Sequence, residues 1–143
     1  RICTEGSVNV TELYGIYSFP QVHQMISTIR GEVKSQEHWA DILSVCYPMG
    51  SMTGAPKKRV MELISKYEAS PRGLFSGTIG YVTPEGDFDF NVVIRSLCYN
   101  STTKTISFKS GGGITANSDP ELEYQESLVK AGAIKKILQT GRI

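Results

Sequence analysis

Cysteine is scarce in this sequence: Cys3, Cys46 and Cys98 are odd in number and far apart. That pattern excludes a disulfide scaffold and a cysteine-built zinc site, leaving reduced thiols in a cytoplasmic protein as the expectation. An excess of one charge is lacking too. Lys and Arg number 15 against 14 Asp and Glu, a formal net charge of +1. Without a basic excess or stripe, neither nucleic acid nor an anionic membrane is an expected partner. No run approaches the roughly 20 apolar residues a membrane-spanning helix needs. The opening Arg1-Ile2-Cys3-Thr4-Glu5-Gly6 has no apolar segment of the kind a secretion signal carries. It also lacks an initiator methionine, so a cut piece of a longer chain is expected.

What is present suits a folded domain. The 143 residues are 40% hydrophobic and 20% charged, enough for one compact domain with a core. Residues 1–17 read as irregular apart from a short strand near Ser7–Val10. After Pro20, the residues Val22, Met25, Ile26 and Ile29 fall at helical spacing, with His23 beside the stripe and Gly31 as the stop. A second helix follows, with Ser35 as its N-cap, Trp39, Ile42, Leu43 and Cys46 on its buried face, and Pro48 after it. Beyond the loop Gly50–Lys57, a third helix buries Val60, Leu63, Ile64 and Tyr67. Segments 74–83, 88–99 and 105–109 are rich in β-branched and aromatic residues and are separated by turn signals, which predicts a three-stranded antiparallel meander. In it Arg95 takes the polar face of the middle strand. Ser118 and Glu121 stand at capping-box spacing before a last helix that runs to about Gln139, with Leu128, Ala131, Ile134, Ile137 and Leu138 inward. The predicted class is α+β, helices packed on a mainly antiparallel sheet.

Four features could carry chemistry. On the last helix Glu123, Glu126 and Lys130 share one face. Two carboxylates there suit a half-site for Mg²⁺, which takes few protein ligands and fills the rest with water and substrate. A solvated face with an ordinary Glu–Lys pair has the same spacing. Gly111-Gly112-Gly113 could open backbone N–H groups to an anion, or form a plain flexible turn. It is neither a phosphate-binding loop followed by Lys-Ser/Thr nor a dinucleotide fingerprint. Arg95 could clamp a carboxylate through two parallel hydrogen bonds, or be a surface charge. His23 could act on a proton, or be a packed histidine. Together these suggest a magnesium-assisted site for a small polycarboxylate.

The order of motifs adds a resemblance. Gly50-Ser51-Met52-Thr53-Gly54-Ala55-Pro56-Lys57, Gly80-Tyr81, Asp87-Phe88-Asp89, Ile94-Arg95-Ser96, Gly111-Gly112-Gly113-Ile114 and Ser118-Asp119-Pro120-Glu121-Leu122-Glu123-Tyr124-Gln125-Glu126 follow one another. This succession resembles the chorismate-binding domain shared by anthranilate, aminodeoxychorismate, isochorismate and salicylate synthases. Arg1-Ile2-Cys3 resembles the end of that family's Arg-Asn-Asp-Leu-Gly-Arg segment. Met52-Thr53 and the segment 22–27 resemble the aminodeoxychorismate branch more than the Thr-Leu-Ser form common in the anthranilate branch.

The resemblance implies that residues 1–143 are the C-terminal portion of one chorismate-binding domain, part of an α/β/β/α sandwich. It implies Glu126 and Glu123 as Mg²⁺ ligands, Arg95 and the N–H groups of Gly111, Gly112 and Gly113 on substrate carboxylates, and Lys130 near the ring carboxylate. Ser51 and Phe75 would line the pocket, Phe75 standing where relatives often carry Tyr or Trp. His23 would stand beside the departing 4-hydroxyl as the catalytic histidine. Chorismate is the implied substrate, and a glutamine amidotransferase the implied source of ammonia. The segment that separates amination from anthranilate formation would lie upstream, as would the remaining metal ligands. The chain alone is therefore expected to be inactive, to bind at most Mg²⁺ or small carboxylates, and to self-associate.

Overall fold

The structure, a computed structural model, describes residues 1–20 and 23–140. Its contacts divide the chain into two compact units, Arg1–Cys46 and Tyr47–Ile143.

The first unit is built on an antiparallel hairpin. Strand β1 (Asn9–Ser18) pairs with β2 (His23–Arg30), with Val10 opposite Ile29, Ile16 opposite Met25 and Ser18 opposite His23. The ladder slips between Val10 and Glu12 and again between Glu12 and Gly15. Tyr14, with φ 56°, sits in the second slip, and its amide donates to Ser27 Oγ at 3.0 Å in place of a ladder carbonyl. The helix predicted after Pro20 is therefore strand β2, and Val22 lies outside the described residues. Met25, Ile26 and Ile29 do satisfy a helical period, but Ile26, Thr28 and Ile29 are β-branched, and the long-range ladder to β1 overrides the local pattern. Nor is the segment before it irregular, since β1 extends over ten residues. Gly31 serves close approach rather than a helix end: a Cβ there would stand 2.8 Å from Cys3 Sγ.

Helix α1 (Trp39–Cys46) begins later than Ser35, which lies in the preceding turn. His38 organises its start, accepting at Nδ1 from the Ala40 amide at 3.2 Å while its own amide donates to Asp41 Oδ2 at 3.2 Å. Trp39, Ile42 and Leu43 are half-buried, and Cys46 is exposed.

The second unit opens with a 3-10 turn at Gly50–Met52 and helix α2 (Lys57–Tyr67). Val60, Leu63 and Ile64 are half-buried, whereas Tyr67 is 71% exposed, outside the predicted core face. Strands β3 (Thr78–Val82) and β4 (Phe88–Val92) form a hairpin with Gly80 opposite Phe90. Its turn closes through the Thr83 amide on Asp87 O at 2.7 Å, with Gly86 at φ 94°. Strands β5 (Cys98–Asn100) and β6 (Thr105–Ser107) form a second hairpin, where Asn100 Oδ1 accepts from the amides of Thr102 and Thr103.

The predicted meander is thus two separate ladders. The chain leaves the extended conformation after Val92, and Arg95 takes φ 50°, so Arg95 lies in a connecting bend and not on a strand face. Among the described residues the β structure comprises three two-stranded ladders and an isolated bridge between Cys3 and Val33, not one sheet. Helix α3 (Pro120–Thr140) appears where expected, but its cap is Asp119, whose Oδ1 accepts from the Leu122 amide at 3.0 Å. Glu121 does not reach back to close a capping box; its carboxylate accepts from Gln125 Nε2 at 2.7 Å. Ala131 and Ile134 are buried, Leu128 and Leu138 half-buried, and Ile137 exposed. Helices together with antiparallel strands make the class α+β. Among the described residues no helix is long and apolar enough to cross a membrane.

The β1–β2 hairpin leaves much apolar surface open, with Leu13 61%, Ile16 68%, Met25 59% and Ile29 67% exposed. A lone two-stranded ladder with apolar side chains in water is an adhesive surface. The chain by itself is expected to self-associate, giving light scattering that rises with concentration. A clean monomer at high concentration would overturn this.

Candidate substrate and metal site

All but one of the predicted site residues belong to the second unit. The exception is His23, the first residue of β2, where it is exposed and its Nδ1 lies 3.0 Å from Ser18 Oγ across the ladder.

The glycine segment and α3 come together around two glutamates. Ser110 Oγ donates to Ser127 O at 3.0 Å, fixing the segment against the helix. Glu123 Oε1 accepts from Ser118 Oγ at 2.5 Å, and that hydroxyl is itself oriented by the Thr115 amide at 3.0 Å. Glu123 Oε2 is buried and has no hydrogen-bond partner among the described residues. A Cβ at Gly112 would stand 2.8 Å from this oxygen, so the missing side chain is what lets the carboxylate sit there. One helical turn on, Glu126 Oε1 pairs with Lys130 Nζ at 2.5 Å, and Lys130 also donates to Gly111 O at 3.4 Å. None of the three glycines adopts a positive φ.

A buried carboxylate oxygen without a donor is costly unless a cation compensates it. Glu123 therefore fits a divalent ion, and Glu126, half-exposed and paired with Lys130, stands one helical turn away. Among the described residues no group of three or more His, Cys, Asp and Glu is placed to hold a metal ion, so the pair amounts to a half-site.

A second cluster centres on Arg72, which the sequence did not single out. Its Nε donates to Glu68 Oε2 at 2.9 Å and its Nη2 to Glu68 Oε1 at 2.5 Å. Nη1 donates to Met52 O at 2.6 Å and Ser76 Oγ at 3.3 Å, and the guanidinium lies 6.0 Å from the Phe75 ring centre. The hydrogen bond from Arg72 holds the Glu68 carboxyl below its ordinary range, and the same bond raises Arg72. Ser51 and Phe75 both lie within the segments this residue ties. Spacing alone gave no signal for the pair, because α2 ends at Tyr67 and the four residues from Glu68 to Arg72 cross a non-helical turn. Arg95 is exposed and has no hydrogen bond or ion pair among the described residues.

The model of the chorismate binding enzyme family matches residues 1–136. The chain belongs to that family. Within it, the likeness runs to the aminodeoxychorismate synthases. Aminodeoxychorismate synthase component 1 of Escherichia coli (strain K12) is 41% identical over 97% of this chain and 30% of its own length. The chloroplastic aminodeoxychorismate synthase of Arabidopsis thaliana is 42% identical over 93% of this chain and 14% of its own length. Among solved structures, anthranilate synthase component I from Streptococcus pneumoniae TIGR4 matches with a TM-score of 0.79 at 32% identity, over 91% of this chain and 29% of that one. The chain thus spans under a third of the length of these relatives.

Proposed function

We propose that this chain is the C-terminal part of an aminodeoxychorismate synthase component I, which aminates chorismate to 4-amino-4-deoxychorismate. The observation that supports this best is the buried, donor-free Glu123 oxygen beside Gly112, one turn from Glu126. It calls for a cation in the part of the sequence that resembles the family's metal site. Mg²⁺ bound to Glu123 and Glu126 would neutralise the substrate ring carboxylate and withdraw charge as the 4-hydroxyl leaves. Arg95, an unpaired guanidinium, supplies a planar fork for a substrate carboxylate. Lys130 places a second positive charge next to Gly111, and the glycine segment lets a carboxylate approach the backbone. Ser51 and Phe75 line the pocket. His23 is assigned to the side of the departing hydroxyl. The ammonia would come from a glutamine amidotransferase partner, and three unpaired thiols suit a reducing cytoplasm.

Anthranilate synthase component I is the second reading, supported by the likeness to the Streptococcus pneumoniae structure. It would use the same residues and add pyruvate elimination. Product analysis of the complete enzyme separates the two.

Arg95→Lys tests the substrate assignment. Lysine keeps the charge and loses the fork, so in the complete enzyme the KM for chorismate should rise by an amount equivalent to about 1.5–3 kcal/mol. Thermal stability should hold, because Arg95 has no partner among the described residues to lose. An unchanged KM would show that Arg95 does not touch the substrate.

A further inference from the structure

The geometry points to Arg72 as a positioning residue that sets the substrate-contacting segments around Ser51, Phe75 and Arg95 relative to one another. This inference rests on the substrate-site reading above.

Three pieces of chain meet at this one guanidinium. The first is the C-terminal end of α2, through the two-oxygen contact with Glu68. The second is the 3-10 turn, through the carbonyl of Met52, the residue after Ser51. The third is the turn after Arg72 itself, through Ser76 Oγ and the Phe75 ring. A planar group with five N–H donors can serve all three at once from a fixed fork. The side chain is only 22% exposed, so these bonds are partly shielded from water.

The turn it holds contains a residue in an unfavourable backbone conformation. Ser76 takes φ 65°, a left-handed conformation unfavourable for a residue with a Cβ. Two backbone bonds fix that turn, from the Gly77 amide to Leu74 O at 3.0 Å and from the Ser76 amide to Val93 O at 2.9 Å. The second bond continues the chain of contacts. Val93 and Ile94 lead directly into Arg95, whose own φ of 50° is also left-handed. The bend that presents Arg95 is therefore anchored to the turn that Arg72 braces. By contrast, no hydrogen bond among the described residues joins Arg72 to Glu123, Glu126 or Lys130. Lys109 ties Pro71 O to the segment that leads through Ser110 to α3, but that tether does not use the Arg72 side chain, so substituting Arg72 should act on substrate affinity and not on the metal.

The test uses the complete enzyme with Arg72→Lys, Glu68→Gln and Arg95→Lys in parallel. Steady-state rates are measured over chorismate and Mg²⁺ series, with thermal unfolding of each variant. Lysine cannot bridge Glu68, Met52 and Ser76 together, and misplacement of a binding residue by about 1 Å can cost up to about 100-fold. Arg72→Lys should raise the KM for chorismate roughly 10- to 100-fold with the Mg²⁺ dependence unchanged. Glu68→Gln keeps one acceptor and should give a smaller rise of the same kind. If Arg72→Lys does not fold, Glu68→Gln decides: a raised KM upholds the role and a parental KM overturns it. Loss of thermal stability with a parental KM means Arg72 only holds the fold, and the inference falls. If Arg95→Lys raises KM while both Arg72→Lys and Glu68→Gln leave it unchanged, the positioning role alone is wrong. If all three variants leave KM unchanged, the substrate-site reading fails and takes this inference with it.

Discussion

Glu126→Gln in the complete enzyme is expected to lower turnover roughly 100-fold or more at ordinary Mg²⁺, with activity partly regained as Mg²⁺ is raised. The amide keeps the size and helix preference of glutamate but removes the anionic oxygen a hard cation selects. It also releases Lys130 from its 2.5 Å contact, which costs the fold little because Glu126 is half-exposed. Glu123→Gln gives the sharper thermodynamic signature. With no metal present, the parent holds a buried carboxylate oxygen that nothing neutralises, so the variant should be as stable or more so. With saturating Mg²⁺ the order should reverse, because the parent gains stability from a bound ion and the variant gains less. Glu121→Gln serves as the control, since its carboxylate only meets Gln125 along the helix. Thermal unfolding with and without Mg²⁺ decides the matter. Equal stabilisation of the parent and all three variants would remove the glutamates from the metal site.

The second large effect concerns Gly80. A Cβ there would lie 2.1 Å from the Asp89 carbonyl oxygen and 2.5 Å from the Phe90 ring. The first is backbone across the ladder and cannot swing away, so Gly80→Ala has to part β3 from β4 or twist the hairpin. A cost of about 3 kcal/mol is expected. Gly132→Ala is the opposite case. It lies inside α3 with nothing within 4 Å of the added methyl, and alanine should stabilise the helix by about 0.5–1 kcal/mol. Urea midpoints of the two variants should move in opposite directions, and a shared direction would show that the packing around Gly80 is misread.

Local signals decided which parts of this structure could be read from sequence. Helix α3 was legible because its length, its acidic first turn and its apolar positions agree. The β3–β4 hairpin was legible because Pro84-Glu85-Gly86-Asp87 supplies the turn, with glycine at the positive φ. Strand β2 was missed because spacing among Met25, Ile26 and Ile29 satisfies a helix equally well, and only pairing with β1 settles the choice. The break at Arg95 carries no signal at all, since no glycine or proline marks it and β-branched residues run up to it. In the site, Glu123, Glu126 and Lys130 could be grouped from helical spacing alone. Ser118 as the partner of Glu123, and Gly112 as the space for its second oxygen, depend on how a loop returns to the helix, which no periodicity records. Arg72 was hidden for the same reason: all three of its attachments lie outside the α-helices, and one is a main-chain oxygen.

That last attachment shapes how this part of the family could diversify. Arg72 reads the Met52 carbonyl, which every amino acid possesses, whereas it reads Glu68 and Ser76 by their side chains. Side chains in the loop around residue 52 can therefore drift, and substrate preference with them, while the tether stays intact. Glu68 and Ser76 are met by Arg72 through their own side-chain oxygens, so a substitution at either removes a contact. In a chimera of two relatives, a crossover within residues 53–67 leaves this trio whole and exchanges the loop freely. A crossover between residues 68 and 76 separates its members and leaves the contacts to the other parent's side chains.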